Sequence, residues 1–363
     1  MRLPMNTSLA TLKPSGIRRI NALAVQHPGC IALALGEPDF PTPDVISAEV
    51  TASLDRGDTH YPPNNGRPAL REALSAYMGD AGLTFSADEV ILTDGATEAL
   101  SATFMAMLNP GDEVIIPTPA FGLYESIVVA NHAKAVFLDT EPAQFQIDEE
   151  ALRACVTPAT KAIVICSPNN PTGNAFPATE IERLLRRFDG MVVLDEAYID
   201  FAAGPGFLAR LGEFGNLIVL QTLSKAWGMA GLRLGLAFAS EAVAGLFARV
   251  KYPYNINSLA QQAVAERLTE DIAPQVAEIR AERDRLAPQL AACPAIERVY
   301  PSDANFILVR TPDPDRMYDA LISAGVIVRN RSRIPGCEGC LRITVGTPAE
   351  NARMIETVKN FRL

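Results

Sequence analysis

The chain has 363 residues, 48% hydrophobic and 20% charged, which excludes a disordered polymer and leaves room for roughly two to three domains. Its 32 basic and 42 acidic residues give a net charge of −10, which argues against non-specific nucleic-acid binding. The chain contains no uncharged apolar run of about 18 residues, no apolar signal-peptide core at its start and no dense cysteine pattern. We therefore expect a cytoplasmic protein.

Short apolar runs alternate with helical patterns through the first two thirds of the chain. A strand predicted at 89–92 precedes a helix predicted from Thr97 to Leu108, and a further helix is predicted from Phe121. The other predicted strands lie at 114–116, 135–138, 162–166, 191–194, 217–220 and 234–238. Because these runs are apolar on both faces, we expect a sheet buried between helix layers, which is an α/β architecture.

From about Ser240 the pattern changes to longer helices. Ile272, Val276 and Ile279 form one apolar stripe among many charges. Two short strands at 305–309 and 341–345 and a closing helix near 349–361 follow. This pattern predicts a second, smaller α+β domain. The predicted divisions are an N-terminal arm that packs on the small domain (1–35), a large domain (36–245) and a small C-terminal domain (246–363).

Candidate site residues follow the carboxyl ends of the predicted strands, where open α/β sheets bind ligands. They are Gly95, Ala96, Thr97, Asn170, Asp195, Tyr198 and Lys225. A lysine can form an imine with an aldehyde, and a carboxylate can keep a pyridine nitrogen protonated. A phenol and an amide can hydrogen-bond a ring oxygen, and a helix N-terminus can hold a phosphate. Pyridoxal phosphate requires this set of groups.

The order of these motifs resembles that of fold-type I pyridoxal-phosphate aminotransferases of class I/II. The resemblance rests on SPNNPTG at 167–173, LDEAY at 194–198 and TLSK at 222–225, with Arg233 eight residues after Lys225. It covers nearly the whole chain. It implies a large α/β domain with a mostly parallel mixed sheet between helices, a smaller α+β domain, and a homodimer that binds pyridoxal 5′-phosphate.

The resemblance also implies roles for the matching residues. Lys225 would bind the cofactor as its Schiff-base lysine and shuttle protons, and Asp195 would pair with the pyridinium nitrogen. Asn170 and Tyr198 would contact the ring oxygen O3′. The other cofactor contacts would be stacking by Phe121 and a phosphate cup of Gly95, Ala96, Thr97, Thr222, Ser224 and Arg233. Tyr61 would cross a dimer interface to the phosphate of the neighbouring subunit's cofactor.

Four stretches are similar to the histidinol-phosphate aminotransferases. They are VLDEAYIDF at 193–201, TLSKAWGMAGLR at 222–233, SDANFILVR at 302–310 and GCLRITVG at 339–346. This similarity implies transamination of histidinol phosphate with 2-oxoglutarate in histidine biosynthesis. Arg342 and Asn170 would bind the substrate, and Arg329 would add a second guanidinium if its anionic group is a phosphate. The strip 329–342 carries four arginines and one glutamate, which favours an anion-binding funnel.

Other substrates remain open on the sequence. The segment LGEPDFP at 35–41 is closer to aspartate and aromatic aminotransferases. The histidinol-phosphate enzymes usually carry an early tyrosine that reaches the substrate phosphate, whereas the first tyrosine here is Tyr61. The alternatives are an aromatic or broad-specificity aminotransferase, a threonine-phosphate decarboxylase, and, from a different class, a pyridoxal-phosphate-binding regulator without turnover.

Two further motifs do not predict sites. GPGFLA at 204–209 matches a dinucleotide fingerprint in its letters but lacks the preceding strand and the later acidic residue. Cys337 and Cys340 have the spacing of half a zinc site, but no second cysteine or histidine pair stands at ligand spacing. We therefore expect no metal.

Overall fold

The computed structural model describes residues 7–12, 17–80 and 90–362, and most of the strands predicted from the sequence appear in it within a few residues. Glu89, the start of the first predicted strand, and parts of the predicted N-terminal arm lie outside the described residues. The strands are β1 Ile31–Ala32, β2 Ile91–Asp94, β3 Glu113–Thr118, β4 Lys134–Asp139, β5 Thr160–Cys166, β6 Met191–Asp195, β7 Leu217–Thr222, β8 Leu234–Ala239, β9 Arg298–Val299, β10 Phe306–Arg310, β11 Val326–Ile327, β12 Arg329–Asn330 and β13 Cys340–Thr344.

Helices surround these strands along the whole chain. They are α1 Ile17–Gln26, α2 Asp44–Asp55, α3 Pro68–Asp80, α4 Gly95–Met107, α5 Leu123–Ala130, α6 Glu149–Cys155, α7 Ala178–Arg187, α8 Glu241–Val250, α9 Ser258–Arg267, α10 Ala273–Ala291, α11 Pro314–Ser323 and α12 Pro348–Asn360. In the part of the chain that the structure describes, none of them has the length and apolar character needed to cross a membrane.

The larger sheet has seven strands in the order β2-β8-β7-β6-β5-β3-β4. Only β8 runs against its neighbours, β2 and β7, so the prediction of a mostly parallel mixed sheet is confirmed. The central strand β7 has four fully buried residues, Leu217 to Leu220, as expected for a strand covered on both faces. The edge strand β4 is less covered, and the Phe137 side chain is 51% exposed.

The carboxyl ends of β5, β6 and β7 meet at one edge of this sheet, because Cys166 pairs with Asp195 and Asp195 with Leu220. At the same edge α4 begins directly after β2, two residues before the predicted start. Gly95 opens this helix with φ +67, and a Cβ there would clash with the guanidinium of Arg233. A glycine is therefore required where the helix start meets Arg233.

A second, four-stranded antiparallel sheet has the order β12-β13-β10-β9. The two strands predicted in this part of the chain are its central pair. The outer strands β9 and β12 were not predicted, because two residues are too short to show an alternating pattern. Strand β1 pairs with β11, so the N-terminal segment lies against the C-terminal part of the chain. The exact domain boundaries stay a prediction.

The apolar stripe of the long C-terminal helix is present in α10. Val276 and Ile279 are buried, and the stripe continues through Leu286 and Leu290, which are fully buried. Ile272, the first predicted member of the stripe, is the residue before the helix. The helix packs on the small sheet through β9 and β10.

Candidate active site

Lys225 lies three residues beyond β7, and its amine is hydrogen-bonded to the N-terminal segment. The Nζ atom donates to the backbone oxygen of Leu35 at 3.2 Å and lies 5.4 Å from the ring centroid of Tyr198. Burial, followed by the charge of nearby Arg342, lowers the pKa of Lys225 to about 8. A substantial fraction of this amine is therefore neutral near pH 8, as a nucleophile toward a carbonyl group must be.

Asp195 ends β6 with its carboxylate buried and hydrogen-bonded on both oxygens. Its Oδ2 accepts from the Tyr124 hydroxyl at 2.6 Å, and its Oδ1 accepts from the Ala197 N–H at 3.0 Å. Burial raises the pKa of Asp195, and the hydrogen bond from Tyr124 opposes that rise. Burial also raises the pKa of Tyr124 well above its ordinary value, so this hydroxyl remains a donor.

Tyr124 is a site residue that the sequence analysis missed. It is the second residue of α5 and follows Phe121 by three positions, and the two rings meet edge to face with centroids 5.7 Å apart. Phe121 itself is partly buried just before the helix. The three-residue spacing of two aromatic residues at a helix start was the available signal, but nothing local indicated that Tyr124 would reach Asp195.

Asn170 accepts hydrogen bonds from two arginines of the C-terminal part of the chain, Arg331 and Arg342. Its side-chain Oδ1 accepts from Arg342 Nη1 at 2.7 Å and from Arg331 Nη2 at 3.3 Å. Arg342 is 3% exposed, donates from Nη2 to the backbone oxygen of Ala34 at 2.6 Å and lies over the ring of Phe306. The predicted substrate residues Asn170 and Arg342 are therefore in direct contact.

Arg329 lies directly across from Arg342 in the register of β12 and β13, so both side chains leave the same face of the sheet. Burial and then the charge of Arg342 lower the pKa of Arg329 to about 10. Burial, followed by the charges of Arg342 and Arg329, lowers the pKa of Arg331 to about 9. Burial also lowers the pKa of Arg342, and Tyr198 opposes that change. Arg331 was not among the predicted substrate residues.

The segment 34–36 is held between the two sheets by its backbone. Besides the bonds from Lys225 and Arg342, the Gly36 oxygen accepts from Asn305 Nδ2 at 3.0 Å and the Gly36 N–H donates to Thr344 Oγ1 at 3.0 Å. Tyr198 closes this side of the site, with its ring edge-on to Phe306 at 5.1 Å. Burial raises the pKa of Tyr198 to about 12, so its phenol stays protonated.

The predicted phosphate cup is gathered at the N-terminus of α4. Thr222 Oγ1 donates to Ser224 Oγ at 2.9 Å, and the Ser224 N–H donates back to Thr222 Oγ1 at 3.2 Å. The Arg233 guanidinium adjoins Gly95, the first residue of α4, and lies 3.5 Å from Asp94. Ala96 is partly exposed and Thr97 exposed on the first turn. Together these groups offer N–H, hydroxyl and guanidinium donors to one anion.

Tyr61 stands apart from this set. Its side chain is 79% exposed, and its ring stacks on Tyr254 with centroids 4.3 Å apart. Within the described part of this single chain, no hydrogen bond or ring contact joins Tyr61 to the other predicted cofactor residues.

The fold and this site are those of an aminotransferase. The chain belongs to aminotransferase class I and II, whose family model matches residues 28–358. The similar curated proteins include a histidinol-phosphate aminotransferase of Parabacteroides distasonis, 46% identical over 279 residues, or 76% of this chain and 80% of that protein. Another, from Flavobacterium johnsoniae, is 38% identical over 327 residues, or 88% of this chain and 91% of that protein.

Solved structures of aspartate aminotransferases share the whole fold. That of Thermus thermophilus with maleate has a TM-score of 0.83 at 31% identity and covers 99% of both chains. That of Thermotoga maritima has a TM-score of 0.84 at 25% identity and covers 98% of this chain and 99% of its own. Family and fold imply a pyridoxal-phosphate cofactor. The residues present fit it, because a buried carboxylate suits a protonated ring nitrogen and the cup at α4 suits a phosphate.

Proposed function

We propose that this protein is a cytoplasmic, pyridoxal-phosphate-dependent aminotransferase that takes the amino group of histidinol phosphate and passes it to 2-oxoglutarate. The observation that carries the choice of substrate is the group of three arginines, Arg329, Arg331 and Arg342, gathered beside Asn170. The curated relatives named histidinol-phosphate aminotransferase support the same choice.

The electrostatics of this group favour an anionic substrate. Arg331 and Arg342 both donate to Asn170 Oδ1, and their positive charges repel each other. Burial of the two guanidinium groups adds a desolvation cost. Besides burial, the groups that act most strongly on the pKa of Arg331 are Arg342, Arg329, Cys337 and Tyr198, and none of them is a carboxylate. An anion bound there offsets the repulsion. Histidinol phosphate has no α-carboxylate, so its phosphate must be the group that anchors it.

The residues around the cofactor site have separable tasks. Pyridoxal phosphate, when bound, supplies the aldehyde that takes up the amino group and the ring that accepts electrons. Lys225 holds the cofactor and, through Nζ, removes and returns the proton at the carbon that bears the substrate's amino group. Asp195 keeps the proton on the ring nitrogen. Asn170 has its Oδ1 occupied by arginines, which leaves its Nδ2 to donate to the ring oxygen.

An aromatic or broad-specificity amino-acid aminotransferase is the second candidate. Structural relatives at 31% identity are aspartate aminotransferases of Thermus thermophilus, one of them solved with maleate and another, a tetra mutant, solved with tryptophan. For such a substrate Arg342 alone would provide the bidentate partner of a carboxylate. A donor with a single carboxylate, such as phenylalanine, would then leave Arg329 and Arg331 without a substrate anion, whereas aspartate would bring a second carboxylate.

Substitution of the two predicted arginines separates these candidates. A charge-assisted hydrogen bond is worth about 1.5–3 kcal/mol, so Arg329→Ala should lower kcat/KM for histidinol phosphate about 10- to 150-fold. The same variant should change turnover of phenylalanine far less, whereas Arg342→Ala should harm every donor. Steady-state kinetics with both donors is the measurement. An equal loss on phenylalanine in Arg329→Ala would favour the amino-acid aminotransferase.

We further propose a homodimer in which Tyr61 completes the partner's cofactor site. Tyr61 and Tyr254 are both exposed and stacked on each other, and together they offer an aromatic surface that a partner subunit would cover. Mixing a Tyr61→Ala chain with a Lys225→Ala chain should create hybrid dimers with one wholly native site. Activity after subunit exchange should exceed the sum of the two homodimers. Verified exchange without recovery would show that Tyr61 serves its own chain.

A further inference from the structure

We infer that Arg331 is a specificity-determining residue that binds the substrate's phosphate beside Arg342 and distinguishes a phosphorylated donor from one that carries a carboxylate. This inference rests on the proposed function and deepens it. The family resemblance assigned the anion to Arg342 and Arg329, and Arg331 was counted only as one arginine of the strip 329–342, without a contact of its own.

Backbone hydrogen bonding places Arg331 on the same face of the small sheet as Arg329 and Arg342. Its N–H donates to the Cys340 oxygen at 2.9 Å, which continues the β12–β13 pairing past the Arg329–Arg342 pair. Residues two apart on a strand point to the same side, so Arg331 and Arg329 both face Arg342's side of the sheet.

The loop that returns from Arg331 to β13 is a chain of tight turns. Ile334 donates to the Arg331 oxygen, Cys337 to the Ile334 oxygen and Cys340 to the Cys337 oxygen, each at 2.9 Å. Gly336 and Gly339 have positive φ values that allow these turns. Arg331 is thus anchored at the start of a well-bonded loop, and its guanidinium does not depend on a mobile segment for its position.

Arg331 does not use all its N–H donors within the described residues. Its Nη2 makes a long, 3.3 Å hydrogen bond to Asn170 Oδ1, an atom that already accepts a 2.7 Å bond from Arg342. The Nε atoms of both Arg331 and Arg342 are buried and make no hydrogen bond within the described residues. Buried guanidinium N–H groups without an acceptor are costly, and a ligand oxygen would satisfy them.

The chemistry of the missing acceptor points to a phosphate. A phosphate monoester carries close to two negative charges and three acceptor oxygens, whereas a carboxylate carries one charge and two oxygens. Arg342 alone can satisfy a carboxylate with its paired N–H groups. A second guanidinium beside it favours a group with more charge and more acceptors than a single carboxylate. Orienting Asn170 is a less adequate explanation of Arg331, because Arg342 already makes the shorter hydrogen bond to the same oxygen.

The test compares two arginines in the holoenzyme, one at the site and one far from it in the sequence. Arg331→Gln removes the charge and keeps a side chain that can donate to Asn170. Arg353→Gln is the matched control, because Arg353 is an exposed arginine on α12, outside the strip 329–342. The measurements are kcat/KM for histidinol phosphate and for unphosphorylated histidinol, and the calorimetric affinity for inorganic phosphate. We expect Arg331→Gln to lose about 10- to 150-fold on histidinol phosphate, less than about threefold on histidinol, and at least about tenfold in phosphate affinity. Arg353→Gln should match the wild type.

Each other outcome has a defined meaning. An equal loss on both donors would assign Arg331 to holding the site's structure and overturn the inference, as would unchanged kinetics on histidinol phosphate. If the wild type turns over phenylalanine but not histidinol phosphate, the proposed function fails instead. The phosphate titration then decides the inference by itself: unchanged affinity in Arg331→Gln overturns it, and weakened affinity retains Arg331 as a phosphate ligand.

Discussion

Lys225→Ala should abolish transamination and the absorbance of the lysine-bound cofactor. The amine of Lys225 lies at this edge of the sheet, hydrogen-bonded to the Leu35 oxygen and with its pKa lowered to about 8 mainly by burial. Alanine has neither the nucleophile that binds the cofactor nor the group that moves the proton. Proton transfer by a positioned side chain is worth about 10²- to 10⁴-fold, so turnover should fall at least that far.

The measurement is steady-state turnover together with the absorbance spectrum of the reconstituted protein. Lys161→Ala is the matched control, because Lys161 is exposed near the start of β5, at the opposite end of the strands from the site. It should keep both activity and spectrum. Turnover within tenfold of the wild type in Lys225→Ala would mean that another amine carries the cofactor.

Asp195→Asn should keep the fold and lose roughly 10²- to 10⁴-fold in the rate of the first half-reaction. A neutral amide does not hold the proton on the ring nitrogen, so the cofactor becomes a poorer electron acceptor. Removing one partner of a buried charge pair costs about 3–5 kcal/mol, and about 1.4 kcal/mol is tenfold in rate. The fold should survive because Asn can still accept a hydrogen bond from Ala197 or Tyr124.

Single-turnover kinetics at saturating cofactor separates this loss from weak cofactor binding. Asp189→Asn, an exposed carboxylate just before the start of β6, is the control and should behave as the wild type. A loss below tenfold in Asp195→Asn would mean that a different residue supports the ring nitrogen.

The sheet could be predicted from the sequence because its strands are buried on both faces and read as uninterrupted apolar runs. Leu217 to Leu220 is such a run, and it is fully buried in the structure. The direction of β8 could not be predicted, since an apolar strand carries no mark of its orientation. Strands β9 and β12 were missed for a different reason, because two residues show no period.

Residue patterns alone predicted candidate site residues where they stand at or after a strand end, whereas Arg342, inside β13, was predicted only through the family resemblance. Asp195 and Lys225 stand at or after a strand end, and their positions at the same edge follow from parallel pairing. The contacts of Tyr124 with Asp195 and of Arg331 with Asn170 join residues 71 and 161 positions apart. No local sequence pattern predicts contacts between residues so far apart in the chain. The position of segment 34–36 could not be predicted either, because its backbone is held by Asn305 and Arg342, which are far from it in the sequence.

The central claim is that the site selects a phosphorylated amino donor for transamination. The direct measurement is kcat/KM of the wild-type holoenzyme for histidinol phosphate, phenylalanine, tyrosine, aspartate and threonine phosphate, with 2-oxoglutarate as acceptor and carbon dioxide release recorded. We expect histidinol phosphate to exceed the amino acids by at least about tenfold, the value of one charge-assisted hydrogen bond, with glutamate formed and no carbon dioxide. An equal or higher kcat/KM for phenylalanine or aspartate, or carbon dioxide release from threonine phosphate, would contradict the claim.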